Sequence, residues 1–165
     1  MELKFHPVTE SNDIERVQGL AQRIWREHYT GIIGEQQVEY MLDTFHSKSA
    51  ITQEITERNY IYYLMMEGDR GLGYFAVQPS ESTLFLSKLY VLDSERGSGV
   101  GRAAMKAIMD MAKERQLSRI SLTVNKDNAG SIAAYTRLGF VTTGEVVADI
   151  GSGYVMDDYK MELTL

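Results

Sequence analysis

Seven residues, Arg96-Gly97-Ser98-Gly99-Val100-Gly101-Arg102, constrain this chain more than any other stretch. A strand-like run from Thr83 to Leu92 feeds directly into them. Apolar residues at helical spacing (Val100, Ala104, Ala107, Ile108, Met111) follow at once. Three glycines in five residues bare the backbone at every other position where the chain turns, so backbone N–H groups can close on an anion. The positive end of the following helix lies just behind them. Strand, glycine turn and helix in that order predict an α/β fold with a pyrophosphate cradle.

Two familiar phosphate loops fail on spacing. A P-loop needs Gly-x-x-x-x-Gly-Lys-Ser/Thr, and neither a lysine nor a hydroxyl follows Gly101. A dinucleotide fingerprint needs Gly-x-Gly-x-x-Gly, but counting from Gly97 puts Arg102 where the third glycine belongs. The strand-like Arg119 to Val124 runs into Asn125, not into the acidic residue that would hold a ribose.

Periodicity orders the rest. Leu3 to Val8 reads as a first strand, and Thr9 to Asn12 supplies capping residues for a helix marked by Ile14, Val17, Leu20, Ala21 and Ile24. Gly31 and Gly34 interrupt before a second amphipathic stretch through Val38, Met41, Leu42 and Phe45; Ser47 caps a third through Ile51 and Ile55. Strands follow at Tyr60–Met66, Tyr74–Val77 and Leu84–Leu92, separated by turn residues. Beyond the glycine loop come a helix, a strand at Ile120–Val124, a helix at Ser131–Leu138, and strands at Val141–Ala148 and Tyr154–Leu163. At 165 residues with no linker or repeat, a single domain spanning 1–165 is expected.

Composition narrows the chemistry. There is no cysteine, hence no thiolate nucleophile and no cysteine zinc site. His6, His28 and His46 lack metal-ligand spacing, so no metal is expected. A formal net charge of −6 argues against a nucleic-acid partner and accords with a cationic small molecule. No stretch approaches a membrane span, and Met1-Glu2-Leu3-Lys4 lacks an apolar run, so no membrane partner and a cytoplasmic location are expected.

The spacing that does fit is Arg-x-x-Gly-x-Gly, carried by Arg96, Gly99 and Gly101. A second block agrees: Leu122-Thr-Val-Asn125-Lys-Asp-Asn128, then Tyr135-Thr-Arg-Leu-Gly139-Phe140. Together they resemble motifs A and B of the GNAT superfamily, the acetyl-CoA-dependent N-acetyltransferases. Trp25-x-x-His28-Tyr29, Ser87-Lys88-Leu89-Tyr90 and the segment Asp149 to Tyr159 are similar, more loosely, to the PaiA-type spermine/spermidine acetyltransferase branch.

The resemblance implies a mixed, mostly antiparallel central sheet flanked by helices, with strands splayed at an acetyl-CoA site. Amides of Arg96, Gly97, Ser98, Gly99, Val100, Gly101 and Arg102 would meet the pyrophosphate. Leu89, Tyr90 and Val91 would pair with the pantetheine arm, the Leu89 N–H polarising the thioester carbonyl. Asn128 and Ser131 would also meet the arm, and Tyr135 would donate to the coenzyme sulfur. Trp25, His28, Tyr29 and Tyr40 would form one wall of the acceptor cleft, with core packing as the alternative use. The expected reaction is direct attack by a primary amine, a polyamine leading. A protein N-terminal or lysine amine, or a silent CoA-binding sensor, stays open. No base stands out on the Thr83–Leu92 strand, which holds Ser87 and Lys88 but no carboxylate; a water relay to Glu35, Glu39 or Asp43 is one route. Asp157 and Asp158 either attract the amine or serve a turn or inter-strand ion pair. The resemblance also implies a possible homodimer through the last strands.

Overall fold

The computed structural model describes residues 2–165. Its seven strands form one mixed sheet of order β1-β2-β3-β4-β5-β7-β6, flanked by helices. The strands are β1 (Lys4–Pro7), β2 (Ile61–Glu67), β3 (Arg70–Ser80), β4 (Thr83–Val91), β5 (Arg119–Asn125), β6 (Val141–Gly151) and β7 (Tyr154–Thr164). The helices are α1 (Ser11–His28), α2 (Thr30–Ile33), α3 (Glu35–Phe45), α4 (Lys48–Glu57), α5 (Val100–Glu114) and α6 (Ala129–Arg137). The chain divides into two compact units.

The first unit runs to Gln78 and adds Ser87–Ile108. Its strands β1, β2 and β3 are antiparallel neighbours. Helix α1 starts where the Asp13 carboxylate accepts the N–H groups of Thr9 (3.2 Å) and Glu10 (3.1 Å), satisfying donors that a helix start leaves open. Its inner face (Ile14, Val17, Ala21, Ile24, Trp25) is buried, as are Val38, Met41 and Leu42 of α3 and Ile51 of α4. Ser47 caps α4 as its position predicts, its hydroxyl accepting the Ala50 N–H at 3.2 Å. Gly31 does not break the chain: it sits inside α2. The break falls at Gly34, whose φ of 88° only glycine adopts readily.

The second unit comprises Pro79–Leu86 and Met109–Leu165. Here β4 pairs in parallel with β5 from Thr83↔Arg119 to Phe85↔Ser121. Strand β7 lies antiparallel to both β5 and β6. Ile120, Leu122 and Val124 alternate inward on β5 with Met161 and Leu163 of β7, and Phe140 closes this core.

Candidate acetyl-CoA and acceptor site

In the first unit, β4 does not pass straight into the glycines. A single turn of 3-10 helix at Asp93–Glu95 intervenes, and the Arg96 N–H donates back to the Asp93 carbonyl at 3.2 Å. Gly97 (φ 79°) and Gly99 (φ 91°) occupy backbone conformations that L side chains rarely adopt. Gly101 is an ordinary helical residue, and a Cβ there would meet open space. Its bareness therefore matters for what approaches from outside.

The Ala103 N–H donating to Gly99 (3.0 Å) opens the α5 ladder, so the amides of Val100, Gly101 and Arg102 lie ahead of it. Gly97, Ser98 and Gly99 are exposed, Val100 anchors the loop in the core, and Ser98 is tied to the Glu95 carbonyl by its hydroxyl and its N–H. The loop's carboxylates are matched by cations: Glu95 by Arg70 (2.6 Å), Asp93 by Arg96 (3.6 Å). The result is an open anion cradle, bare at its three glycines, at a helix start, which fits a pyrophosphate.

The strand before it lies close against β3. The Leu92 N–H donates to Leu72 on β3 (2.9 Å), and a Cβ on Gly73 of β3 would lie 2.2 Å from the Tyr90 carbonyl oxygen. Both place the polar groups of Tyr90 and Leu92 toward β3. Strand alternation then turns those of Leu89 and Val91 away from β3.

The Tyr90 ring enters an aromatic cluster. Trp25 stacks on Tyr29 at 4.2 Å and lies 4.7 Å from His46 and 5.6 Å from Tyr90, while Tyr74 is 5.6 Å from Tyr90. Trp25 and Tyr29 are buried within this cluster, and His28 stands edge-on to Tyr29 at 4.7 Å, half-buried. Tyr40 packs against Phe45 instead, at 6.4 Å.

Lys88 is the residue that periodicity undersold. Its ammonium is buried on the same β4 face as Leu84 and Leu86 and donates to three acceptors: Phe45 carbonyl (3.2 Å), Glu54 Oε1 (3.0 Å) and Tyr62 hydroxyl oxygen (2.5 Å). The Tyr62 hydroxyl in turn donates to Glu54 (2.5 Å). Burial lowers the lysine's pKa against the opposing pull of Glu54, and raises that of Tyr62. Glu54 lies one helical turn beyond buried Ile51, the one signal that pointed it inward. Glu39 is held in a bidentate pair with Arg26 (2.8 and 3.0 Å) that keeps its carboxyl below the usual range, which makes it a poor proton acceptor.

In the second unit, Asn125 Oδ1 accepts the Asp127 N–H at 2.9 Å, turning the chain off β5 toward α6. Asn128 is buried at the start of α6, its carbonyl accepting the Ile132 N–H at 3.1 Å. Ser131 and Tyr135 follow one and two turns on and are half-buried; the Tyr135 ring lies 5.5 Å from Phe140. Asp157 is paired with Lys126 at 2.8 Å. Among the described residues no three His, Asp or Glu side chains gather as a metal site requires, and no helix is long and apolar enough to cross a membrane.

A mixed seven-stranded sheet thus carries a glycine cradle between β4 and α5. Residues 16–140 match the acetyltransferase (GNAT) family, and the chain belongs to it. It is 36% identical over 74 residues to streptothricin acetyltransferase of Streptomyces lavendulae, spanning 44% of this chain and 39% of that protein. It is 33% identical over 58 residues to the L-methionine sulfoximine/L-methionine sulfone acetyltransferase of Pseudomonas aeruginosa, spanning 35% of this chain and 34% of that one. These matches thus cover less than half of the relatives' length. Among solved structures, the PaiA N-acetyltransferase of Thermoplasma acidophilum in complex with coenzyme A superposes with a TM-score of 0.80 over the whole of both chains at 16% identity, which establishes the fold.

Proposed function

We propose that this chain is a cytoplasmic acetyl-CoA-dependent N-acetyltransferase, a single functional domain that moves an acetyl group to the primary amine of a small molecule, a polyamine first. The carrying observation is the cradle at Arg96–Arg102, in which Gly97 and Gly99 hold positive φ and the first amides of α5 stand ahead of the helix ladder. The relatives named for streptothricin and for methionine sulfoximine support a small acceptor. The net charge of −6 supports a cationic one. Exposed Val141, Val147 and Val155 on β6 and β7 support self-association through the last strands.

An alkylamine arrives as an ammonium with a pKa of about 10.4, so freeing its lone pair at pH 7 costs about 4–5 kcal/mol. With no cysteine to carry an acyl group, the amine attacks the thioester directly. The Leu89 N–H, turned away from β3, is the donor for the developing oxyanion. The Tyr135 hydroxyl steadies the departing sulfur by hydrogen bonding; at about 10, an ordinary phenol is a weaker acid than a thiol at about 8.5, so donation rather than full transfer is its role.

The test is thiol release from acetyl-CoA with spermidine, spermine, amino acids, streptothricin-type antibiotics and peptide N-termini. Release that depends on a small amine is the expected result. Release with peptides alone would move the acceptor to protein, and acetyl-CoA binding without release would make the chain a sensor. In the same assay Gly99→Val should weaken acetyl-CoA binding at least tenfold with the fold retained.

A further inference from the structure

We infer that Arg70, far from the phosphate loop in the sequence, sets the loop's affinity for acetyl-CoA by neutralising the Glu95 carboxylate that the loop carries; this rests on the cradle reading above. Arg70 opens β3 and stands opposite Glu67 across the tight turn that joins β2 to β3. Its guanidinium forks between two acids. Nη1 donates to Glu95 Oε1 at 2.6 Å, and Nη2 donates to Glu67 Oε1 at 2.9 Å.

Glu95 is built into the cradle. Its N–H donates to the Leu92 carbonyl at 2.9 Å, and its own carbonyl accepts both the N–H (3.4 Å) and the hydroxyl of Ser98. One residue thus links the β2–β3 hairpin, through its side chain, to the glycine loop, through its backbone. All of these groups lie in the first unit.

The Glu95 side chain is 13% exposed, against 70% for Asp93, the other acid of the same turn. Water and salt screen the exposed charge well and the sheltered one much less. An unpaired carboxylate at Glu95 would therefore act on the anion bound by the residues that follow it. It would repel a pyrophosphate, and it would itself be drawn to the amides at the start of α5. The charge-assisted bonds from Arg70 prevent both. The neighbouring Arg96 lies 3.6 Å from Asp93 instead, and among the described residues Arg70 is the cation that pairs with Glu95. As a contribution to stability such a half-exposed pair is small. Beside an anion site, losing Arg70 changes the ligand's surroundings by one full charge.

Arg70→Gln, Glu95→Gln, the double variant, Arg70→Lys and Glu67→Gln test this in the full chain, with acetyl-CoA binding read by calorimetry and thermal unfolding followed in parallel. Arg70→Gln should weaken acetyl-CoA binding about tenfold at low salt. That deficit should shrink as salt rises from about 0.05 M to about 0.5 M. Glu95→Gln removes the charge itself and should bind at least as tightly as wild type, as should the double variant. Arg70→Lys keeps the charge, Glu67→Gln touches the hairpin partner alone, and each should stay within about threefold of wild type. A pair that only braces the loop gives another order: Glu95→Gln and the double variant bind as weakly as Arg70→Gln, whatever the salt. That order, or wild-type affinity in Arg70→Gln, overturns the inference. Should Arg70→Gln fail to fold, Glu95→Gln decides: binding at least as tight as wild type supports the role, and weaker binding overturns it. A wild-type chain that binds acetyl-CoA but releases no thiol with any amine would sink the transferase reading and leave this one standing. One that binds no acetyl-CoA overturns both.

Discussion

Gly73 shows how much a missing side chain can decide. A Cβ there would stand 2.2 Å from the Tyr90 carbonyl oxygen, 2.9 Å from the Met65 methyl and 3.0 Å from Val91 Cα. Backbone cannot step aside as a flexible side chain can, so Gly73→Ala must push β4 at the residues that precede the phosphate loop. Overpacking of this kind costs about 1–3 kcal/mol. We expect a lowered unfolding midpoint together with a loss of kcat/KM at least tenfold, read by denaturant titration and thiol release; an active, stable Gly73→Ala would show that β4 need not lie so close. Tyr135→Phe is a contrasting case. It removes one hydroxyl at half-buried cost, and should lower kcat while leaving acetyl-CoA affinity within twofold, the pattern of a group that acts on the transition state. Legibility differs between such residues for a physical reason. The Arg96–Arg102 cradle is a local backbone feature and shows in the letters. Glu54 and Tyr62 meet Lys88 from a helix and a strand that sequence separation hides, and Asp157 and Asp158 look alike until strand alternation sends them to opposite faces.

Among the elements, the seven strands and the longer helices lie close to where periodicity puts them, most of them burying an apolar face; β1 and β6 bury none, and β3 extends beyond Tyr74–Val77 to Arg70–Ser80. The misses are short. The 3-10 turn at Asp93–Glu95 and helix α2 around Gly31 are set by local hydrogen bonds rather than by apolar spacing. The Lys88–Glu54–Tyr62 triangle ties β4 to α4 and β2, and carries its own prediction. Removing one partner of a buried ion pair leaves the other charge unmatched, at about 3–5 kcal/mol; replacing both with apolar residues avoids that penalty. Lys88→Met alone and Glu54→Leu alone should therefore each lower the denaturation midpoint sharply, while the double variant recovers at least half of the loss. Strict additivity of the two single effects would instead show that the charges do not act as a pair.

For the whole molecule the sensitive condition is mild acid. His46 is 3% exposed, lies against Trp25, and sits 3.4 Å by its Nδ1 from the Tyr74 hydroxyl. Burial, with the Lys88 charge adding to it, holds its pKa well below the ordinary value of 6.5. The folded chain therefore keeps a neutral imidazole that the unfolded chain would protonate. The sign follows from linkage: this contribution is complete above about pH 6.5 and falls by about 1.4 kcal/mol per pH unit below it, until the folded-state pKa is reached. Carboxylates with lowered pKa values, Asp13 and Glu39, begin from 3.8 and 4.5 and so act at lower pH. Asp158, whose carboxyl pKa burial raises above 3.8, acts with the opposite sign, so the loss of stability between about pH 5 and 6.5 is assigned to His46. Trp25, the single tryptophan, reports on it directly from 4.7 Å. Urea unfolding followed by Trp25 fluorescence should give a midpoint that drops from pH 7.5 to pH 5.0, and His46→Gln, which cannot take up the proton, should flatten that drop from its own lower starting midpoint. An equally steep fall in His46→Gln would assign the acid sensitivity to other groups and show that the buried imidazole is not what makes this fold prefer neutral pH.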